Sequence, residues 1–209
     1  MKQSKLRKIF ATLLAVVMIL CVMPLGTLAQ NDGGQQFRDV ASNAWFANAV
    51  AYCYENGLMV GVSDTEFDPN GTVTREMVVS VLYRIAETPD VEIAEGETAV
   101  GGFADVAAGK WYSKAILWGK ENEIVYGLTE TQFGVGEAVT REQLTAFLYR
   151  FAEKWGCDIS GKDDLAAFAD ADNIRAYAVD SVKWAVKSGF ISGSPADGKT
   201  YLLPRDSAK

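Results

Sequence analysis

The chain has no histidine in its 209 residues. That removes the commonest general base and the commonest transition-metal ligand together. Cysteine is scarce: Cys21 lies in the N-terminal apolar run, leaving Cys53 and Cys157. Two thiols are no disulfide framework; they could pair outside the cell, but read more simply as inert, mostly buried side chains. No Gly-x-Ser-x-Gly elbow, phosphate-binding loop or His/Cys pair occurs, and acid pairs such as Asp163-Asp164 and Glu121/Glu123 fall on polar linkers or helix ends. No stretch is left over for a catalytic domain, so the chain reads as a non-enzyme without a cofactor. Positive charge is also short, with 20 Lys and Arg against 27 Asp and Glu. Such a chain repels nucleic acid and anionic membrane surfaces, and neither is expected as a partner.

The N-terminus lacks a run long enough to span a membrane. Lys2, Lys5, Arg7 and Lys8 precede an apolar segment from Ile9 to Met23, shorter than a spanning helix requires. Pro24 and Gly26 break it, and Thr27-Leu28-Ala29 offers small residues for cleavage. Residues 1–29 read as a secretory signal peptide, with no stable membrane insertion after its removal, and 30–36 as a linker.

Internal repetition is the strongest signal present. Sliding residues 37–86 onto 103–152 needs no gap and gives 19 identities in 50 pairs. Phe37-Arg38-Asp39-Val40 matches Phe103-Ala104-Asp105-Val106. Trp45 falls on Trp111, Gly61 on Gly127, Phe67 on Phe133, Val73-Thr74-Arg75-Glu76 on Val139-Thr140-Arg141-Glu142, and Leu82-Tyr83-Arg84 on Leu148-Tyr149-Arg150. A third copy starts near Phe168-Ala169-Asp170. Tyr177 stands in the Trp position, Trp184 matches Trp118, Gly193 matches Gly127, and about three extra residues precede Leu202-Leu203-Pro204. The expected organisation is repeat 1 over 37–87, an acidic linker over 88–102, repeat 2 over 103–155, a linker over 156–167, and repeat 3 over 168–209, truncated before its second helix.

Within repeat 1, Ser42 or Asn43 is expected to cap a helix from about Trp45 to Asn56, with Phe46, Ala49, Val50 and Cys53 at helical spacing. Gly57 stops it. Thr74 caps a second helix from Arg75 to about Ala86, whose apolar stripe is Val78, Val81, Leu82 and Ile85. Glu76 and Glu142 sit in the first turn, where the helix dipole favours an acid. One such helix pair cannot bury both faces, so the repeats should pack on each other, as a pseudo-threefold cluster or an open solenoid. Asp68-Pro69-Asn70-Gly71-Thr72 lacks the closing Glu of an EF-hand, and an ordinary turn explains it; no metal site is expected.

Arg75 and Arg141 stand at helix N-termini, where free N–H groups already favour anions, and a guanidinium can hold a carboxylate through two parallel hydrogen bonds. The alternative is an internal ion pair with Asp39, Asp105 or Asp170. Trp45 and Trp111 offer aromatic faces to a ligand, or core packing; Trp118 and Trp184, in mid-helix, read as core. Gly61, Gly127 and Gly193 serve backbone turns or a close ligand approach.

Together these motifs resemble the S-layer homology domain family: Phe-x-Asp-Val, Trp, a helix, a Gly-x-x-x-Gly turn, Phe-x-Pro and Thr-Arg-Glu, all present in repeat 1 as Phe37, Asp39, Val40, Trp45, Gly57, Gly61, Phe67, Pro69, Thr74, Arg75 and Glu76. The resemblance implies an all-α, three-pronged pseudo-trimer of helix–loop–helix repeats. It implies a non-catalytic module, exported and located at the cell wall or cell surface of a Gram-positive-type bacterium, that anchors proteins there. The ligand would be a secondary cell-wall polymer or peptidoglycan-linked polysaccharide, anionic and pyruvylated. Its groove residues, carried over by motif, are Arg75 and Arg141, Asp39, Asp105 and Asp170, Trp45, Trp111 and Tyr177, with Gly61, Gly127 and Gly193 in the adjoining turns. The chain departs from the pattern at Glu123 and Val135 in repeat 2, and at Ala171 and Tyr177 in repeat 3, which also lacks Thr-Arg-Glu. At most two complete grooves are expected. The alternatives are a helical-repeat module binding other proteins, or the anchor part of a larger surface enzyme whose cargo domain follows.

Overall fold

The computed structural model describes residues 36–208. The expected signal peptide and most of the linker after it lie outside the described residues. The protein divides into two compact units, residues 1–71 and 72–209.

The described part of the first unit holds α1 (Ala47–Glu55). Its small core joins Phe37, Val40 and Val50, with Phe46, Ala47 and Phe67 packed against them. Ser42 and Asn43 do not cap this helix. Phe46 is its N-cap and makes no side-chain cap bond, so the entry is held by apolar packing.

The second unit holds α2 (Arg75–Ile85), α3 (Ser113–Glu121), α4 (Arg141–Lys154) and α5 (Val179–Lys187). The apolar stripe on α2 buries Val78, Leu82 and Ile85 as expected, while Val81 is only partly buried and Val79 is buried beside them. This face packs on α3, and α4 packs on α5. Within this unit the packed pair is therefore the second helix of one sequence repeat with the first helix of the next. Trp118 and Trp184 are buried in these contacts, Trp118 beside Tyr83 and Phe151, and Trp184 beside Tyr149.

Local chemistry recurs from repeat to repeat. The first helix of each ends with the same pair of backbone bonds: Gly57 N–H to Tyr54 O and Leu58 N–H to Cys53 O, then Glu123 to Lys120 and Ile124 to Gly119, then Gly189 to Val186 and Phe190 to Ala185. This closure needs a left-handed residue. Gly57 and Gly189 supply it freely, whereas Glu123 is forced to φ 60°. Thr140 completes a capping box with Gln143, while Thr74 at the equivalent position makes no side-chain cap bond.

The fold is mostly helical, but a small two-stranded sheet interrupts the expected all-α pattern. Strands β1 (Ser194–Ala196) and β2 (Lys199–Tyr201) pair antiparallel, with Ala196 opposite Lys199. The turn residues are Asp197 and Gly198, both at positive φ. Asp-Gly favours this two-residue hairpin turn. The extra residues of repeat 3 lie in this hairpin.

Candidate binding site

Each Phe-x-Asp aspartate binds the backbone of its own repeat's loop. In the first unit, Asp39 accepts the N–H groups of Phe67 and Asp68 at 2.9 and 2.6 Å. In the second, Asp105 accepts Phe133, Gly134 and Val135 at 2.8, 2.7 and 2.9 Å. Asp170 accepts Leu202 and Leu203 at 2.7 and 2.8 Å. Val135 replaces a proline, so it supplies an N–H that Pro69 and Pro204 lack. The bound loop residues Asp68 and Leu203 both hold positive φ, as does Gly134. Hydrogen bonds from Phe67 and Asp68 hold the Asp39 carboxyl below its ordinary value. Burial pushes the Asp105 carboxyl up, but the three N–H groups outweigh it and the net shift is downward.

The turn glycines are crowded by their own repeat. A Cβ on Gly61 would meet Glu66 O and Phe37 at 2.6 Å, one on Gly127 would meet Gln132 O and Thr129 O at 2.4 Å, and one on Gly193 would meet Thr200 at 2.6 Å.

Within the second unit, the Thr-Arg-Glu segments staple successive repeats together. Arg75 N–H donates to Glu137 O at 3.1 Å and Val139 N–H to Val73 O at 2.9 Å. Arg75 Nε donates to Phe133 O at 2.9 Å and Nη2 to Tyr126 O at 2.6 Å. Its guanidinium also lies 4.7 Å from the Phe133 ring centre and 5.1 Å from that of Phe147. Glu76 accepts Gly136 N–H on both oxygens at 3.1 Å. The next staple repeats the plan: Arg141 N–H to Asp206 O at 2.9 Å, Ala208 N–H to Val139 O at 2.8 Å, and Arg141 Nε to Leu202 O at 2.8 Å.

Arg75 and Arg141 differ in what remains for a ligand. Arg75 is 2% exposed, and burial lowers its pKa to about 10. Arg141 is only partly buried. The alternative of an internal ion pair at Asp105 or Asp170 is not seen among the described residues: these carboxylates go to backbone N–H groups, and Arg75 and Arg141 to carbonyls.

The aromatic residues ahead of the first helices are open to solvent. Trp45, Trp111 and Tyr177 are 74%, 59% and 48% exposed, at positions that correspond across the three repeats. The site also contains residues that motif reasoning did not single out. Tyr126 is 52% exposed and lies under Arg150, whose guanidinium carbon is 4.6 Å from the ring centre. Glu142 is fully buried and accepts Arg175 N–H at 3.0 Å, Arg175 Nη1 at 2.8 Å and Tyr177 Oη at 3.3 Å. Arg150 belongs to the Leu-Tyr-Arg identity between repeats, which was the available signal. Arg75, Tyr126, Arg150, Glu142, Arg175 and Tyr177 are thus brought together in one unit, while Trp45, Asp39 and Gly61 belong to the other.

Cys53 is a partly buried free thiol whose burial pushes its pKa up. Among the described residues, no group of three or more His, Cys, Asp or Glu is placed to hold a metal ion. No helix among the described residues is long and apolar enough to cross a membrane.

Comparison with known proteins agrees with the repeat structure. The S-layer homology domain matches residues 36–76, 102–145 and 167–199. A surface-layer 125 kDa protein of Lysinibacillus sphaericus is 32% identical over 97% of this chain and 16% of its own length. An endoglucanase of Bacillus sp. (strain KSM-635) is 25% identical over 98% of this chain and 21% of its own. A cell surface protein of Thermoanaerobacter kivui is 26% identical over 70% of this chain and 19% of its own. The chain therefore spans about a fifth or less of these relatives. With three matched segments, each carrying the same loop-binding aspartate, the chain belongs to the S-layer homology domain family.

Proposed function

We propose that this chain is a non-catalytic anchoring module that holds its polypeptide on the cell surface by binding a secondary cell-wall polysaccharide, anionic and pyruvylated. The observation that carries the reading is the recurrence of solvent-exposed Trp45, Trp111 and Tyr177 at one position in three repeats. Large aromatics are normally buried at least in part. Three exposed at equivalent places suit ring-on-ring contact with a repeating sugar chain. Arg141, partly buried with one carbonyl bond, is the Thr-Arg-Glu arginine that retains donors for an acid group.

In this reading the protein is exported after cleavage behind Ala29 and works in a Gram-positive-type wall. The repeats have the boundaries given above and close into a pseudo-threefold cluster with the grooves between them. The names of the relatives support a cargo that is either a surface-layer protein or a surface enzyme.

A second reading, binding to a protein partner, is favoured by the exposed side chains of Val60 and Val62 and, at the matching positions, Tyr126 and Leu128. Sedimentation with purified sacculi separates the two. Binding to intact sacculi that is lost after acid stripping of the secondary polymer supports the anchor. Equal binding to stripped sacculi, or none to either, rejects it.

A further inference from the structure

At the staple built by Arg75, the Thr-Arg-Glu arginine is not the cation that meets an acid group. Both Arg75 donors described above go to carbonyls, and its 2% exposure leaves no edge for a ligand. Arg150 is placed differently. It projects from α4 over the face of Tyr126, at 4.6 Å. Its one side-chain hydrogen bond among the described residues, Nη1 to Ile124 O, is 3.5 Å long, at the outer limit for such a bond. A guanidinium carries five N–H donors around its edge. Stacking on a ring occupies its face and leaves that edge available. Among the described residues no carboxylate is within ion-pair distance of Arg150.

The walls around it are held from behind. Arg75 of repeat 1 grips the Tyr126 carbonyl, and Glu142 of repeat 2 accepts from the Tyr177 hydroxyl. Both rings remain about half exposed. Tyr177 and Tyr126 are each within electrostatic reach of Arg150. Glu142 does not neutralise that cation, since its oxygens are taken by Arg175 and Tyr177. A partly desolvated cation with no counter-ion among the described residues, stacked on the Tyr126 ring and within electrostatic reach of Tyr177, in a chain of formal charge −7, is complementary to a single acid group on a sugar ring.

We propose that Arg150 is the carboxylate-binding residue of a subsite walled by Tyr126 and Tyr177, which receives one acidic sugar of the wall polysaccharide. Arg75 and Glu142 are positioning residues for those walls. The inference rests on the polysaccharide reading and specifies its contact. Burial lowers the Arg150 pKa, and a bound carboxylate would raise it again.

The test uses the full chain and polysaccharide released from sacculi by hydrofluoric acid, native and after chemical reduction of its carboxyl groups. Calorimetric titration of the wild type is expected to show binding weakened by about tenfold or more on carboxyl reduction. Arg150→Gln should lose affinity for native polymer to a similar degree and be indifferent to reduction. Arg150→Lys, which keeps charge without the planar fork, should fall between. Melting curves establish that the variants are folded, and the reduced-polymer arm needs no variant. If the wild type binds sacculi and native polymer but Arg150→Gln binds both equally well, or reduction has no effect, the Arg150 assignment is overturned while the anchor stands. If the wild type binds neither sacculi nor polymer, both fall.

Discussion

Tyr126 is held by Arg75 across a repeat boundary: Nη2 of the arginine, in repeat 1, donates to the tyrosine carbonyl, in repeat 2, at 2.6 Å. The same side chain reaches Phe133 O through Nε. A motif at the start of a helix thus fixes a loop more than fifty residues away. Arg75→Met should leave two carbonyls without this partner and cost about 3 kcal/mol. Arg75→Lys should recover little, because an ammonium cannot span both acceptors. Arg141→Met loses one named carbonyl bond and should cost about 1 kcal/mol. Denaturant unfolding followed by the fluorescence of buried Trp118 and Trp184 measures all three.

Glu123 holds φ 60° on an exposed surface where the other two repeats have glycine. Glu123→Gly relieves that conformation without removing packed atoms. It should stabilise the second unit by about 0.5–1 kcal/mol, against the usual cost of adding a glycine. An unchanged or lowered unfolding midpoint would show that the left-handed backbone carries no such strain.

Asp105 serves three backbone N–H groups, and its pKa is lowered from 3.8. A depressed carboxyl contributes stability above its unfolded pKa and loses it as pH falls through the folded one. Asp105→Asn should therefore cost roughly 1–2 kcal/mol at neutral pH, constant down to the ordinary carboxylate range. The gap from wild type should close only below pH 3.8. Paired unfolding curves at several pH values would show this; a gap that opens toward acid has the wrong sign.

Trp45 and Trp111 are too exposed to matter much for folding. Trp45→Ala and Trp111→Ala should shift stability by no more than about 0.5 kcal/mol, yet weaken sedimentation with sacculi. Loss of stability with unchanged wall binding would return both rings to a structural role.

The sequence was most readable where structure is local and repeated. The start of α2 at Arg75 and the helix stop at Gly57 follow from periodicity and glycine, although Thr74 makes no cap bond. The entry to α1 was misread because Phe46 packs into a core that no capping rule describes. The hairpin at Asp197-Gly198 carries a turn signal, but its residues are an insertion with no counterpart in the other two repeats. The roles of the motif residues were least readable. Asp39 acts on residues 28 and 29 positions away, and Arg141 on one 61 away. A short motif names such residues without saying whether they face a ligand or a backbone.

The anchoring claim is tested most directly by competition on the wall itself. The chain is bound to intact sacculi, and soluble polysaccharide released from the same walls is titrated in. Saturable displacement is expected, with carboxyl-reduced polysaccharide much less effective. A chain that stays on the wall whatever polysaccharide is added, or is released equally well by the reduced form, would contradict recognition of an acidic wall polymer.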